Sequence, residues 1–392
     1  VSAPGQRGSP LGAAVTLDQL DDDPHALLAR LREREPVAWL PCLDGWLITR
    51  HDLALEAMRD DRRFTVDDPR FSTAQVIGPS MLSLDGCEHA RHRAPFVGPF
   101  RAAAVAGRFA EAAAQRAARL LDELAPAGRG ELRRAFAGPM SAAIVTRALG
   151  LGEEEIDDVL RWYDAIVASV TEITAGRGPT AAGARAFAAL RERLLAAVAR
   201  GDPDSLPAAA ARDTTLAPEE IAANTAVLLF GGIETTEGMI ANALLALLRR
   251  PAALAHVRRE PAAVDAAIDE SLRLEPAAAV IDRYAAGATA LGGAVIARGD
   301  LVRISITAAN RDPAVFADPD AFDPGRANLR RHLAFAQGPH VCVGVHLARL
   351  EARAALTAVL LRLPGLALDP DRPPRVRGLV FRKPERLDAV WA

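Results

Sequence analysis

The run Phe335-Ala336-Gln337-Gly338-Pro339-His340-Val341-Cys342-Val343-Gly344 leads straight into a helix-like segment, His346-Leu347-Ala348-Arg349-Leu350-Glu351-Ala352-Arg353. It sets one cysteine between two glycines at the threshold of a helix, with an aromatic ring, Phe335, upstream. A thiolate is favoured at a helix N-terminus, because the unpaired backbone N–H groups there stabilise negative charge. Gly338 and Gly344 allow a tight turn and the close approach of a flat group to the sulfur.

The run resembles the cysteine-ligand loop of the cytochrome P450 superfamily, Phe-Gly-x-Gly-x-His-x-Cys-x-Gly. It departs at one position, Ala336, where the family has glycine. The expectation is that Gly338 and Gly344 absorb the change. The resemblance implies haem b (iron protoporphyrin IX) as cofactor, Cys342 as its axial thiolate and metal ligand, and Phe335, His340 and Gly344 beside it.

Other motifs stand in the family's order. At Asp85-Gly86-Cys87-Glu88-His89-Ala90-Arg91-His92-Arg93 a helix begins, and His89 and Arg93, four apart, share one face. Alone they read as a solvated basic face. Together with Cys342 they resemble the pattern Glu-His-x-x-x-Arg, which implies contacts to the haem propionates. A long helix runs from about Pro218 to about Arg250, roughly 32 residues or about 48 Å. Its middle, Phe230-Gly231-Gly232-Ile233-Glu234-Thr235-Thr236, holds two glycines that each cost a helix about 1 kcal/mol relative to alanine. Close helix packing is one explanation. The other is the family's oxygen-activation sequence, Ala/Gly-Gly-x-Asp/Glu-Thr, which implies a groove at Gly231 and Gly232 and catalytic roles for Glu234 and Thr235 in proton delivery.

Glu270-Ser271-Leu272-Arg273 places opposite charges on one helical face, but so does Glu131-Leu132-Arg133-Arg134. Only the first follows the long helix, where the family has its Glu-x-x-Arg pair. Phe322-Asp323-Pro324-Gly325-Arg326 resembles the segment that adds a second arginine. Glu270, Arg273 and Arg326 are therefore expected to be structural, holding the cysteine loop. Between them, Val280-Ile281-Asp282-Arg283 reads as a strand, and the resemblance implies that its Arg283 is the family's third propionate contact. Ala308-Ala309-Asn310-Arg311-Asp312-Pro313 and Phe316 resemble the meander before the ligand loop.

The 392 residues could form two or three domains by length alone. A hydrophobic share of 50% and a charged share of 25% are those of a globular protein. The net charge of −3 carries no general signature of nucleic-acid binding. The nearest approach to a membrane span, Ile221 to Leu248, is interrupted by Asn224, Glu234, Thr235, Thr236, Glu237 and Asn242. Residues 1–8 lack the apolar core of a signal peptide, so the expected location is cytoplasmic. Cys42, Cys87 and Cys342 are too few and too scattered for a disulfide framework.

Taken in order, residues 1–17 read as a flexible lead-in, with a single domain over 18–392. Asp21-Asp22-Asp23 opens a helix to about Arg34. Val37-Ala38-Trp39-Leu40 and Gly45-Trp46-Leu47-Ile48-Thr49 form a hairpin, and His51 to Arg59 a short helix. Phe64 to Asp85 is a long loop. Thr171 to Gly183 connects two helices, and the resemblance makes it part of a lid.

The whole pattern implies a mainly α fold with a small β-rich part: a triangular, single-domain, bacterial-type soluble P450. The implied activity is a haem-thiolate monooxygenase oxidising an apolar small molecule of secondary metabolism. No G-x-G-x-x-G fingerprint precedes a helix. Electrons would therefore come from a ferredoxin-type donor with its reductase, which Arg330, Arg331, Arg349 and Arg353 could dock to a monomeric enzyme. Met81, Leu82, Phe230, Val280, Ile281 and Phe381 are the expected substrate contacts. A haem-thiolate sensor would have no need of Glu234 and Thr235. A zinc site built from Cys87, His89, His340 and Cys342 would leave the glycine pair unexplained.

Overall fold

The structure is a computed structural model that describes residues 8–174, 177–202, 205–212 and 215–392. In chain order the principal helices are α1 (His25–Arg34), α2 (His51–Arg59), α3 (Gly86–Val97), α4 (Ala102–Leu124), α5 (Gly138–Ala148), α6 (Ile156–Thr174), α7 (Ala181–Arg200), α8 (Pro218–Leu248), α9 (Val264–Leu274) and α10 (Val345–Arg362). The largest sheet has strands β1 (Val37–Leu40), β2 (Gly45–Ile48), β3 (Phe64–Thr65), β4 (Val280–Ala285) and β5 (Leu301–Ser305), in the order β1-β2-β5-β4-β3. The mainly helical fold with a small β-rich part follows the sequence expectation.

The chain divides into two compact units. One comprises Val1–Thr65, Ala241–Cys342 and Arg372–Leu387; the other comprises Val66–Ile240, Val343–Asp371 and Asp388–Ala392.

The first unit is built on the sheet. β1 and β2 form the expected hairpin, Val37 opposite Ile48, and Asp44 turns the corner in the left-handed region at φ 46°. β5 lies parallel to β2 and antiparallel to β4. One apolar cluster packs α2 residues Leu53, Ala57 and Met58 with Trp46, Val302, Ile304 and Leu333. A second gathers α1 residues Leu28 and Leu31 with Leu40 and Leu47. Alternate strand residues thus supply opposite faces of the sheet.

Two stretches expected to lack structure have it. A short helix, Pro10–Ala13, lies in the expected lead-in, and the Glu35 carboxylate accepts from the N–H groups of Leu11 and Gly12 at 2.9 and 3.0 Å. The N–H of Trp39 donates to the Ser9 hydroxyl at 2.9 Å, tying the segment to β1. Residues 1–7 of that lead-in lie outside the described residues. In the second unit, Ser72–Ile77 is helical within the expected Phe64–Asp85 loop, burying Thr73 and Ile77. Part of the Thr171–Gly183 connection, 175–176, also lies outside the described residues.

The second unit is helical, with α4 against α10, α6 against α7, and α8 supplying residues up to Ile240. A three-stranded sheet closes it, Asp388–Val390 pairing with Arg129–Glu131 and with Ala367–Leu368. Among the described residues no single helix is long and apolar enough to cross a membrane.

Glu275, just after α9, gathers charge in the first unit. Arg382 Nε donates to it at 2.8 Å, and His25 Nε2 lies 3.1 Å away. Burial alone would raise its pKa, but His25, Arg382 and Arg311 overcome that effect and hold it at about 2. A carboxylate with a depressed native pKa stabilises the fold above its unfolded value and loses that contribution as pH falls through the native one. Glu275→Gln should therefore lower the thermal midpoint relative to the parent at pH 6. The difference should shrink as pH falls from 4.5 toward about 2, as read from melting curves across that range.

Candidate active site

The cysteine loop hangs from the first unit by a few backbone bonds. Asn310, fully buried, accepts from the Leu333 N–H at 2.7 Å, and the Cys342 N–H donates to Phe335 O at 2.8 Å. Cys342 itself is exposed, while Phe335 and His340 are half-buried. The turn is made at two left-handed positions, Ala336 at φ 56° and Gly338 at φ 77°. Gly338 is also needed for space, since a Cβ there would stand 2.6 Å from Met58 O. Gly344 has φ −83° and is the N-cap residue of α10. The expectation that Gly344 would absorb the mismatch is therefore corrected: Ala336 itself takes the left-handed conformation, which costs an L-residue about 1–2 kcal/mol.

The three structural charges meet. Arg273 binds Glu270 side-on through one guanidinium edge, Nε–Oε2 at 2.7 Å and Nη2–Oε1 at 2.8 Å. Both side chains are fully buried. Arg273 Nη1 donates to the carbonyls of Asn310 and Pro319, and Nη2 to that of Ala321. Arg326 Nε adds a bond to Glu270 Oε1 at 3.0 Å, and the Asp323 N–H another at 2.8 Å. The look-alike differs: Glu131 accepts from the N–H groups of Arg133 and Arg134, capping a short turn, and Arg134 is exposed. Arg133 instead pairs with Glu237 at 2.9 Å.

On β4 the Arg283 side chain is buried and its Nη1 donates to Asp282 O at 2.8 Å. Val280 lines a small apolar hollow with Leu20, Leu28 and Leu47, and Ile281 packs against the sheet's cluster. Both expected substrate contacts are thus engaged in core packing. Phe381 is half-buried and bridges Ala278.

In the second unit α8 continues unbroken through the glycines. The pair divides its roles. Gly231 is exposed, and a Cβ there would meet nothing within 4 Å. Gly232 faces α5, where a Cβ would stand 2.7 Å from Val145 Cγ2, so helix packing accounts for it. The Thr235 hydroxyl donates to Gly231 O at 2.5 Å. Glu234 accepts from the Tyr163 hydroxyl of α6, and Phe230 lies buried beside the Tyr163 ring, with centroids 6.3 Å apart.

On α3, His89 is buried with its Nε2 shielded from solvent, and Arg93 is half-buried. Sequence reasoning missed the residues between them. Arg91 grips the Glu220 carboxylate at 2.6 and 3.1 Å, and Asn224 Nδ2 lies 3.0 Å from His92 Nδ1. Arg91, by hydrogen bond and charge, holds Glu220 at about 2. Asn224 also accepts from the N–H of Met81, which is buried, while Leu82 is half-buried. The available signal was the three-residue offset of Arg91 and His92 from Glu88 and His89, which puts a second polar stripe on the helix.

Comparison with known proteins decides the family. Cytochrome P450 107B1 of Saccharopolyspora erythraea is 35% identical over 381 residues, covering 90% of this chain and 91% of that protein. The chain belongs to the cytochrome P450 family. The family model for cytochrome P450 matches residues 204–386 of this P450. Nocardicin C N-oxygenase of Nocardia uniformis is 34% identical and covers 98% of both chains. Among solved structures, P450BioI in complex with an acyl-ligated acyl carrier protein matches with TM-score 0.86 at 27% identity, covering 94% of this P450 and 99% of that chain. CalO2 matches equally, TM-score 0.86 at 27% identity over 96% of this chain and 99% of that one. The enzyme is a haem-thiolate monooxygenase. The sensor alternative is set aside. The zinc alternative is set aside with it, since the chain belongs to a haem-thiolate family.

Two variants test the loop. Ala336→Gly should remove the left-handed penalty, partly offset by glycine's greater unfolded entropy, for a net gain of about 0.5–1 kcal/mol seen in melting curves. Glu270→Gln, which leaves buried Arg273 short of its counter-charge, should cost about 3–5 kcal/mol and deplete haem, whereas Arg134→Ala should change stability by about 0.5 kcal/mol or less.

Proposed function

We propose that this P450 binds haem b with Cys342 as axial thiolate and uses it to oxidise an apolar small molecule of secondary metabolism. The observation that carries the reading is the exposed Cys342 thiol, set by a left-handed turn just before α10. Three features of the chain suit the group. The turn leaves the sulfur accessible next to a helix N-terminus, which favours thiolate. Gly231 leaves room beside the middle of α8 for a ligand to approach the helix. His89, Arg93, Arg283 and His340 provide donors for buried propionates, which need paired charge. On this reading the two units act together as one P450 domain over 18–392.

When bound, the haem supplies dioxygen activation, which electron donation from an axial thiolate favours. The protein's own part is protonic and positional. Thr235, once released from Gly231 O, offers a hydroxyl to hold water, and Glu234 delivers protons toward it. Overall, one oxygen atom enters the substrate and the other leaves as water, consuming two electrons and two protons.

A ferredoxin-type donor with its reductase is the proposed electron source, docking on exposed Arg330, Arg331 and Arg353 with half-buried Arg349 nearby in sequence. Three cysteines that form no disulfide suit a reducing cytoplasm, where the enzyme is proposed to act as a monomer. The substrate class rests on relatives named for such chemistry, including 6-deoxyerythronolide B hydroxylase and Mycinamicin IV hydroxylase/epoxidase, at 32% and 33% identity. Met81, Leu82, Phe230, Val280, Ile281 and Phe381 are the proposed apolar contacts.

Reduced protein under carbon monoxide should show the red-shifted Soret band of a thiolate ligand, lost in Cys342→His. An unchanged band in that variant would remove Cys342 from the iron. Thr235→Ala should keep the haem and divert electrons to peroxide or water; unaltered coupling would exclude Thr235 from proton delivery.

A further inference from the structure

Tyr163 lies far in sequence from every family motif, yet it meets the centre of α8. It projects from α6, is only 6% exposed, and rests its ring beside Phe230 while its hydroxyl donates to Glu234 Oε2. Phe230 and Glu234 are four residues apart, so one tyrosine spans consecutive turns of the same helix face. The contact is a specific one, because the carboxylate is held by a directional donor while the ring fixes where that donor sits.

We propose that Tyr163 is a positioning residue for proton delivery, holding the Glu234 carboxylate in the orientation from which it serves Thr235. The inference rests on the role proposed above for Glu234. The donor is well suited to the task. Burial, then the charge and hydrogen bond of Glu234, with further charge from Glu237 and Asp164, push the phenol well above its usual range. It therefore keeps its proton and stays a donor throughout the pH range of turnover. Arg133 balances Glu237, one helical turn beyond Glu234, at 2.9 Å. The structure thus already supplies a cation for Glu237 and a neutral donor for Glu234.

The chain has two tyrosines, Tyr163 and Tyr284, which makes the contact directly measurable. Tyr284 is as buried as Tyr163, at 7% exposed, so the two are told apart by difference: ultraviolet titration of the haem-loaded protein should show an alkali-resistant phenol that is lost in Tyr163→Phe and kept in Tyr284→Phe. In Glu234→Gln the resistant phenol should ionise at lower pH, because the largest of the three carboxylate charges opposing its ionisation has been removed. Tyr163→Phe keeps the ring against Phe230 and should retain wild-type haem content. With any substrate that shifts the spin state, it should form several-fold more peroxide per electron pair and change the solvent isotope effect on turnover. Glu234→Gln should do the same, and the double variant should be no worse than Glu234→Gln alone.

Wild-type coupling and isotope effect in Tyr163→Phe, with Glu234→Gln uncoupled, would overturn the inference and leave the role of Glu234 standing. Wild-type coupling in Glu234→Gln would overturn both. A tyrosine titration unmoved by Glu234→Gln would show that the contact does not form in the working enzyme, and would likewise overturn the inference.

Discussion

Glu270 and Arg273 are withdrawn from water completely, and neither could remain there without the other. An ion pair in a low-dielectric interior recovers its desolvation cost only when its remaining lone pairs and protons are also satisfied. That requirement recruits the carbonyls of Asn310, Pro319 and Ala321, the Asp323 N–H and the Arg326 guanidinium. All of these belong to the irregular segment before the cysteine loop. A stretch with little regular structure is thereby fixed by a charge network. Asn310 passes the order on, its backbone carbonyl meeting Arg273 and its side chain meeting the Leu333 N–H at the loop's start.

Within the second unit α8 plays the corresponding organising role. Its first turns hold α3 through Glu220 and Asn224, while its middle meets α5 at Gly232 and α6 at Phe230 and Glu234. Each contact uses a different physical means: ion pair, amide hydrogen bond, close backbone packing, and ring with hydroxyl. The helix that carries the reactive residues is therefore located from several sides, and of the residues that fix it only Glu234 is also proposed to move protons. Such division lets a site be rigid overall while one hydroxyl, that of Thr235, exchanges a local helix carbonyl for another partner.

Ala336 shows where the loop tolerates strain. A left-handed alanine costs free energy that the surrounding structure must supply, and the neighbours here do so: Ala336 packs on the cluster of Met58 and Leu333, and Gly338 nestles against Met58 O. The mismatch visible in the sequence is thus a cost retained at a functional turn.

What the sequence by itself determined is the ordered set of short motifs: Cys342 with its flanking residues, Glu234-Thr235 in a long helix, and Glu270-Arg273 with Arg326. Each depends on local spacing, and helix and turn periodicities place such residues on one face without knowledge of distant chain. Only the tertiary structure separated Gly231 from Gly232, because open space and Val145 look alike in a pair of glycines. It also chose between two identical Glu-x-x-Arg patterns, since Glu131 serves backbone N–H groups while Glu270 is buried against its arginine. And it brought Tyr163 to Glu234, a pairing of residues on two different helices that no local pattern encodes. Desolvation and packing decide these outcomes, and both depend on neighbours far away in the chain.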